Sequence, residues 1–264
     1  GRFLLTGSAN LLLSQRIAET LAGRATYLTL WPLTQGELSG DGRAGRWTSL
    51  LSRPPREWPN LLGEKKPLDW KALASHGGYP TPATALPTRE QRALWFSGYT
   101  QTYLERDLRQ LSQIDSLADF RRVMIAAALR SGQLLNQTEL GRDVGVSQPT
   151  VLRYLNLLEA THLLERLPAY ARNRTKRLMK TPKVFWADAG LAAFLAGYYD
   201  AAAVRQSPLW GSLFEGFMLH HLRIWSQLQV PQAHLFYWRT TSGHEVDFVI
   251  EHGSRLLAME VKTT

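Results

Sequence analysis

The chain of 264 residues has no cysteine, seven histidines and a formal net charge of +9. The lack of cysteine excludes disulfides, thiolate zinc sites and a cysteine nucleophile, and no apolar run approaches the roughly 20 residues that a membrane span needs. Because the N-terminus also lacks the pattern of a signal peptide, we expect a cytoplasmic protein that makes no contact with a membrane.

The positive charge is concentrated in the first three quarters of the chain. Residues 1–98 carry 12 Lys and Arg against 7 acids, residues 99–198 carry 14 against 9, and residues 199–264 carry 5 against 6. A basic surface suits a polyanion, so nucleic acid, and DNA in particular, is the expected partner. Charge alone does not separate a DNA-binding protein from a basic protein without such a partner.

The chain opens with an apolar run that ends in small polar residues at Asn10. This pattern is typical of a buried parallel strand whose carboxyl end lies where α/β proteins bind ligands. Residues 39–70 are rich in Gly, Pro, Arg and Trp, have no sustained period, and predict an irregular insertion. No phosphate-binding loop of the type Gly-x-x-x-x-Gly-Lys-Ser/Thr occurs, because residues 63–67 lack the glycine loop.

Three helices are predicted in the middle of the chain. An amphipathic helix covers residues 120–135, a short helix covers 138–144, and Ser147 is a good N-cap for the third. A helix-turn-helix unit places its last helix in a DNA groove, with Gln148 and Arg153 as the outward candidates here. The same unit serves elsewhere only for packing or protein contacts, and that alternative stays open.

A basic stretch follows the strand predicted for residues 163–170. It carries six Lys or Arg residues and no acid between positions 172 and 183. As the wing of a winged helix it would lie along phosphates, and each contact would make binding more dependent on salt. As an ordinary hairpin tip it would simply be solvated. The candidate phosphate contacts are Arg172, Arg174, Lys176 and Arg177.

Two apolar runs near the C-terminus carry regularly spaced charges, GHEVDFVI at residues 243–250 and LLAMEVK at 256–262. Side chains alternate between the faces of a strand, so Glu260 and Lys262 share a face. A tight connection makes the two strands antiparallel neighbours, which brings Asp247 beside Glu260. Such a cluster suits a divalent ion and a phosphate group, although alternating charges also mark a solvated face.

The order of these elements resembles the PD-(D/E)XK nuclease fold, in which a helix with Glu precedes strands with Asp and Glu-x-Lys. The helix here spans residues 212–222 and carries Glu215. The resemblance implies that Asp247 and Glu260 ligate Mg²⁺, that Lys262 polarises the attacking water, and that Glu215 supports the metal. Because a domain of this type normally continues further, we expect this module to be truncated at its C-terminus.

The motifs FLLTGSAN, ETLAGR and LTLWPLT near the N-terminus resemble the later part of an AAA-type ATPase core. The resemblance implies that Asn10, or Ser8 beside it, senses the γ-phosphate, and that Arg24 contacts nucleotide or a neighbouring subunit. It also implies a homo-oligomer formed through the ATPase core. Because the phosphate-binding loop is missing, we interpret the chain as a C-terminal fragment of a prokaryotic ATP-binding protein, in which only the full-length parent binds ATP.

Other motifs extend the resemblance over nearly the whole chain. HGGYP at residues 76–80 resembles an element of the ATPase lid, and YLERD at 103–107 and KTPKVFWADAGL at 180–191 resemble an uncharacterised domain that follows the ATPase core. We therefore predict a multi-domain chain of mixed α and β class. Its parts are the end of the ATPase core with a helical lid (1–98), a winged helix-turn-helix domain (99–198) and an incomplete α/β PD-(D/E)XK nuclease-like module (199–264).

The expected function is binding of, or action on, nucleic acid with a metal-dependent nuclease-like site. The first alternative is a non-catalytic DNA-binding or regulatory module. The second is a protein-interaction ATPase with a degenerate nuclease fold, in which Asp247, Glu260 and Lys262 form a structural ion pair. Metal binding separates the first interpretation from both alternatives, and salt-dependent DNA binding separates the alternatives from each other.

Overall fold

The computed structural model describes residues 24, 26, 28–42, 46–62, 69–102 and 114–263. In these ranges helices predominate beside two small antiparallel sheets, so the predicted mixed α and β class is confirmed. No helix in the described ranges is both long and apolar enough to cross a bilayer. Ser8, Asn10 and the motif at 103–107 lie outside the described residues.

Short helices make up the first part of the described chain. They are α1 (Gln35–Leu38), α2 (Trp47–Ser52), α3 (Trp58–Leu62), α4 (Trp70–His76), α5 (Pro80–Thr84) and α6 (Arg89–Tyr99), with a 3-10 turn at Pro55–Glu57 before α3.

The prediction of an irregular insertion over residues 39–70 is wrong where α2 and α3 form. The Trp58 indole N–H donates to the carbonyls of Leu50 and Arg53, each at 3.1 Å, and Trp47 packs against a buried apolar cluster of the C-terminal sheet. Tertiary packing of tryptophans therefore stabilises short helices that show no apolar period of their own.

Three longer helices and a hairpin form the middle of the chain. They are α7 (Leu117–Leu129), α8 (Gln137–Val144), α9 (Gln148–Ala160), β1 (Leu164–Leu167), α10 (Arg174–Met179) and β2 (Lys183–Trp186). The Ser147 hydroxyl accepts from the Thr150 N–H, so the predicted N-cap of α9 is confirmed. Gly145 ends α8 in the left-handed conformation at a φ of 69°.

The hairpin is antiparallel, and its register places Leu164 opposite Trp186 and Leu167 opposite Lys183. Its strands are joined by a connection that contains α10, where we predicted a simple wing. The Asn173 side chain caps α10 by accepting from two backbone N–H groups. This cap starts a helix within the basic stretch, which the wing prediction does not include.

Three helices and a three-stranded antiparallel sheet complete the chain. They are α11 (Ala189–Leu195), α12 (Ala201–Gln206), α13 (Trp210–Gln227), β3 (His234–Arg239), β4 (Glu245–His252) and β5 (Arg255–Met259), in the sheet order β3-β4-β5. The predicted antiparallel pairing of the last two strands is confirmed.

The last strand is shorter than the predicted run over residues 256–262. β5 ends at Met259, so Glu260 and Lys262 lie after the strand. The Val261 N–H donates to Oδ2 of Asp247 at 2.7 Å. A side-chain carboxylate thus binds the backbone directly after the end of β5.

Two apolar cores meet at α13. The first core is formed by α7, α8, α9 and α11, and it includes Phe96 and Leu213. The second lies between the C-terminal sheet and α13, and it includes Leu167 and Phe185 of the hairpin. The hairpin and α13 thus contribute side chains to both cores, and this packing fixes the hairpin against the C-terminal sheet.

Candidate functional site

A buried lysine lies between two glutamates where the hairpin meets the C-terminal sheet. Lys183, the first residue of β2, is 4% exposed. Its Nζ lies 3.1 Å from Oε2 of Glu215 on α13 and 2.5 Å from Oε1 of Glu245 on β4. It also lies 5.8 Å from the centre of the Tyr237 ring. One ammonium group therefore joins three elements that are far apart in sequence.

Burial and charge act against each other in this cluster. Burial lowers the pKa of Lys183, but attraction to Glu215 and Glu245 outweighs it, so the pKa lies above its ordinary value. Burial raises the pKa of Glu215, and the negative charges of Asp247 and Glu245 add to that rise while Lys183 opposes it. The lysine thus compensates carboxylates that would otherwise repel one another.

Of the predicted catalytic residues, Asp247 lies on β4, and Glu260 and Lys262 lie directly after β5. The Lys262 ammonium donates to Oε1 of Glu260, and both side chains are more than half exposed, at 69% and 58%. The hydrogen bond to Glu260 raises the pKa of Lys262, and the charges of Glu260 and Asp247 add to the effect. The negative charge of Asp247 also raises the pKa of Glu215, so Asp247 acts on both Lys262 and Glu215.

The arrangement of these side chains does not fit the Mg²⁺ ion implied by the nuclease resemblance. Each predicted carboxylate is engaged within the protein: Glu215 by Lys183, Asp247 by the Val261 N–H and Glu260 by Lys262. Over the part of the chain that the structure describes, no group of three or more His, Asp and Glu residues is placed to hold a metal ion. Metal binding by Asp247 and Glu260 remains a prediction without structural support.

The predicted base-contacting residues lie on α9. Gln148 is exposed in the first turn of the helix, and Arg153 is exposed in the next turn. The Arg153 guanidinium donates to Asp115 at 2.5 Å and lies 5.3 Å from the centre of the Tyr154 ring. Arg153 is therefore held by neighbours, whereas Gln148 has a contact of 3.5 Å with Gln137.

The four predicted phosphate contacts differ from one another. Arg172, Arg174 and Lys176 are exposed on and before α10. Arg177 is not: its guanidinium donates to both Glu251 oxygens, at 2.5 and 3.1 Å, and lies 4.6 Å from the centres of two aromatic rings, those of Tyr170 and Phe236. Arg177 therefore attaches α10 to β4.

A buried carboxylate connects two of the sequence motifs, HGGYP at residues 76–80 and KTPKVFWADAGL at 180–191. Asp188, the N-cap of α11, accepts from the Leu191 N–H at 2.7 Å and from the Gly78 N–H at 2.6 Å. Burial raises the pKa of Asp188 to about 6, although these backbone N–H groups oppose the rise. Gly77 adopts a φ of 71°, and a Cβ there would clash with the Asp188 carboxylate.

The ATPase-like segment packs against the same region. The Leu33 N–H donates to the Gly78 carbonyl at 2.6 Å, and the Gln35 N–H donates to Nε2 of His221 on α13 at 3.0 Å. Burial lowers the pKa of the adjacent His220 to about 3, so that ring is neutral at physiological pH. Arg24, the predicted nucleotide or subunit contact, lies exposed in a turn.

Comparison with known proteins gives the family of the chain. The chain belongs to the family described as Domain of unknown function (DUF8612), which matches residues 68–201. Residues 1–39 match the AAA domain family, and residues 210–264 match Domain of unknown function (DUF4143). These matches relate the protein to AAA-type ATPases.

Two mycobacterial proteins are similar over the whole chain. It is 32% identical over 263 residues to Uncharacterized protein Mb2031c of Mycobacterium bovis and to Uncharacterized protein Rv2008c of Mycobacterium tuberculosis. Each match covers 100% of this chain and 52% of the relative, so the chain spans about half the length of these curated relatives. No solved structure matches the chain.

The family boundaries show which contacts cross between modules. The AAA match ends directly after α1, and the DUF4143 match begins at the first residue of α13. Lys183 therefore comes from the DUF8612 region, whereas Glu215 and Glu245 come from the DUF4143 region. Sequence reasoning missed this pairing because it counted Lys183 among six basic residues of a solvated tip. The apolar run that follows it, Val184 to Trp186, was the signal for burial.

Proposed function

We propose that this chain is the part of an AAA-type ATP-binding protein that binds duplex DNA, with α7, α8, α9 and the hairpin acting as a winged helix. The observation that carries the proposal is an exposed face on α9 next to the hairpin strand β1. This face consists of Leu152, Arg153 and Asn156, with Gln148 in the first turn of the helix. All four are exposed, while Val151, Leu155 and Leu158 are buried.

The hairpin is held against this helix by Arg166 of β1. Its guanidinium donates to Oδ1 of Asn156 at 2.9 Å and pairs with Glu159 at 3.2 Å. A recognition helix flanked by a hairpin has the arrangement with which winged helices bind DNA, where the helix enters the major groove and the wing follows the backbone.

The positive charge available to phosphates comes from Arg172, Arg174 and Lys176. These three side chains are exposed on the connection between the hairpin strands. Arg177 is assigned a positioning role, because its contacts with Glu251 attach α10 to β4 and so fix where the other cations stand. A flexible basic tip would give up more side-chain and backbone entropy on binding than this anchored helix.

The proposal is for binding without cleavage. Glu215, Asp247 and Glu260 are all engaged by groups of the protein itself, which favours the non-catalytic module over a nuclease. In the full-length parent we propose that the contact of Leu33 with Gly78 links the ATPase core, and any homo-oligomer it forms, to this DNA-binding unit.

Salt-dependent binding to a duplex tests the proposal. Fluorescence anisotropy would give the affinity of the wild-type chain for a labelled duplex at several salt concentrations. Replacing Arg172, Arg174 and Lys176 by Ala should reduce the slope of log K against log salt by about 2 to 3, since each lost phosphate contact removes about 0.9.

The matched control removes three exposed arginines from other parts of the chain, Arg56, Arg205 and Arg255. This control variant lowers the net charge by the same amount as the first triple variant. It should leave the slope of log K against log salt nearly unchanged. Equal loss of slope in both triple variants would mean that only overall charge matters. Absence of duplex binding at low salt would refute the proposal.

A further inference from the structure

We propose that Lys183 fills a cation position between Glu215 and Glu245, so that this module holds an internal ammonium group beside the helix glutamate to which the nuclease resemblance assigns support of a divalent ion. The ligand-like oxygens come from α13 and β4, the two elements to which the resemblance assigns Glu215 and Asp247. The cation comes from β2, which lies outside the nuclease-like module. This inference does not depend on DNA binding.

The contacts of Lys183 carry the proposal. Its Nζ approaches one oxygen of Glu215 at 3.1 Å and one oxygen of Glu245 at 2.5 Å, and the side chain is buried. Glu245 and Asp247 are two residues apart on β4, so they share a face of the sheet. Two carboxylates therefore hold one ammonium group, and Asp247 is close enough for its charge to act on Glu215.

A divalent ion would find neither room nor favourable charge at this position. Mg²⁺ requires about six oxygens at about 2.0–2.1 Å, and those distances are incompatible with an ammonium held between the same carboxylates. Adding a divalent cation beside a buried lysine would also introduce strong repulsion between like charges. Glu245 is further compensated by Arg239, at 3.6 Å.

Lys183 and its two glutamate partners lie in different modules of the chain. Because Lys183 lies on the hairpin, its ion pairs with Glu215 and Glu245 form only when the hairpin packs on the C-terminal module. The ion cluster therefore joins the DUF8612 and DUF4143 regions of the chain, and it serves docking of one module on the other.

Manganese titration of the chain tests this inference, with thermal unfolding and calorimetry as readouts. Wild-type protein should show no change in Tm and no binding heat with millimolar MnCl₂. Lys183→Met nearly keeps the length of the side chain and removes the charge. Its Tm should be lower than that of the wild type without metal and should rise by several degrees when MnCl₂ is added. The regain should disappear in the matched double variant Lys183→Met with Glu215→Gln.

Two results would overturn the inference. One is a Tm shift or binding heat of the wild type that Glu215→Gln abolishes, because the native site would then hold a metal. The other is a folded Lys183→Met variant that gains nothing from MnCl₂, because the carboxylates would then not form a cation position. If Lys183→Met does not fold, the MnCl₂ titration of the wild type is compared with that of Glu215→Gln. An unchanged wild-type Tm supports the inference. A rise in the wild-type Tm that Glu215→Gln abolishes overturns it.

Discussion

Asp188 shows how a single buried residue can fix the contact between motifs that are distant in sequence. Its carboxylate accepts from the backbone of Gly78 and Leu191, and it is 3% exposed. Burial raises its pKa to about 6, so the folded protein disfavours the charged form more than the unfolded chain does. The local hydrogen bonds and the burial therefore oppose each other, and pH sets the balance.

Asp188→Asn tests this balance through the pH dependence of stability. The folded pKa of about 6 lies above the ordinary value of 3.8, so the folded state binds more protons than the unfolded state. The protein therefore loses stability as pH rises from the unfolded to the folded pKa. A shift of this size corresponds to about 3 kcal/mol. The stability advantage of the wild type over Asp188→Asn, measured by urea unfolding, should shrink by about that much from about pH 3 to about pH 8.

The amide of Asn cannot accept at both positions, so Asp188→Asn also lowers stability at every pH. That constant loss does not affect the test, which is the change with pH. A difference in unfolding free energy that stays constant over the same pH range would show that Asp188 titrates normally.

At the scale of elements, α11 packs on the turn after α4 through a glycine. A Cβ on Gly190 would lie 2.6 Å from the backbone nitrogen of Gly77, and 2.8 Å from its Cα. Backbone atoms cannot move aside as a flexible side chain can. The approach of α11 to this turn thus depends on the absence of a side chain at one position.

Gly190→Ala should therefore destabilise the protein by at least about 2 kcal/mol, because it forces α11 away from the turn. Gly98→Ala is the matched control, since Gly98 lies within α6 and a Cβ there meets nothing within 4 Å. The control should be stabilising by about 0.5–1 kcal/mol through helix propensity. Chemical denaturation of both variants checks the pair, and equal effects would disprove the close-packing argument.

The elements that the sequence predicted well are those defined by local patterns. Periodic apolar residues and the Ser147 cap located α9, and alternating residues located β4 and β5. The elements it missed are α2, α3 and α10, which are short and depend on packing or on a side-chain cap. In the candidate site, the sequence placed Glu215 and Asp247 on the correct elements but did not identify Lys183 or Glu245, because their pairing spans 62 positions.

At the scale of the whole molecule, residues 1–39 match the AAA domain family, but the chain has no glycine-rich phosphate loop. Such a loop supplies the backbone N–H groups that hold the phosphates. We therefore predict that these 264 residues bind ATP negligibly. Titration with a fluorescent ATP analogue to millimolar concentration checks this, and saturable binding that Asn10→Ala abolishes would contradict it.

The proposal that the face of α9 and the cations near α10 bind duplex DNA can be tested by locating the contact. Hydrogen exchange with mass spectrometry, with and without a duplex at low salt, locates the contact directly. We predict slower exchange in the first half of α9 and around residues 172–180, with β5 unchanged, and loss of this protection when Arg172, Arg174 and Lys176 are replaced by Ala. Unchanged exchange in both segments at a saturating duplex concentration, or protection confined to other parts of the chain, would contradict the account.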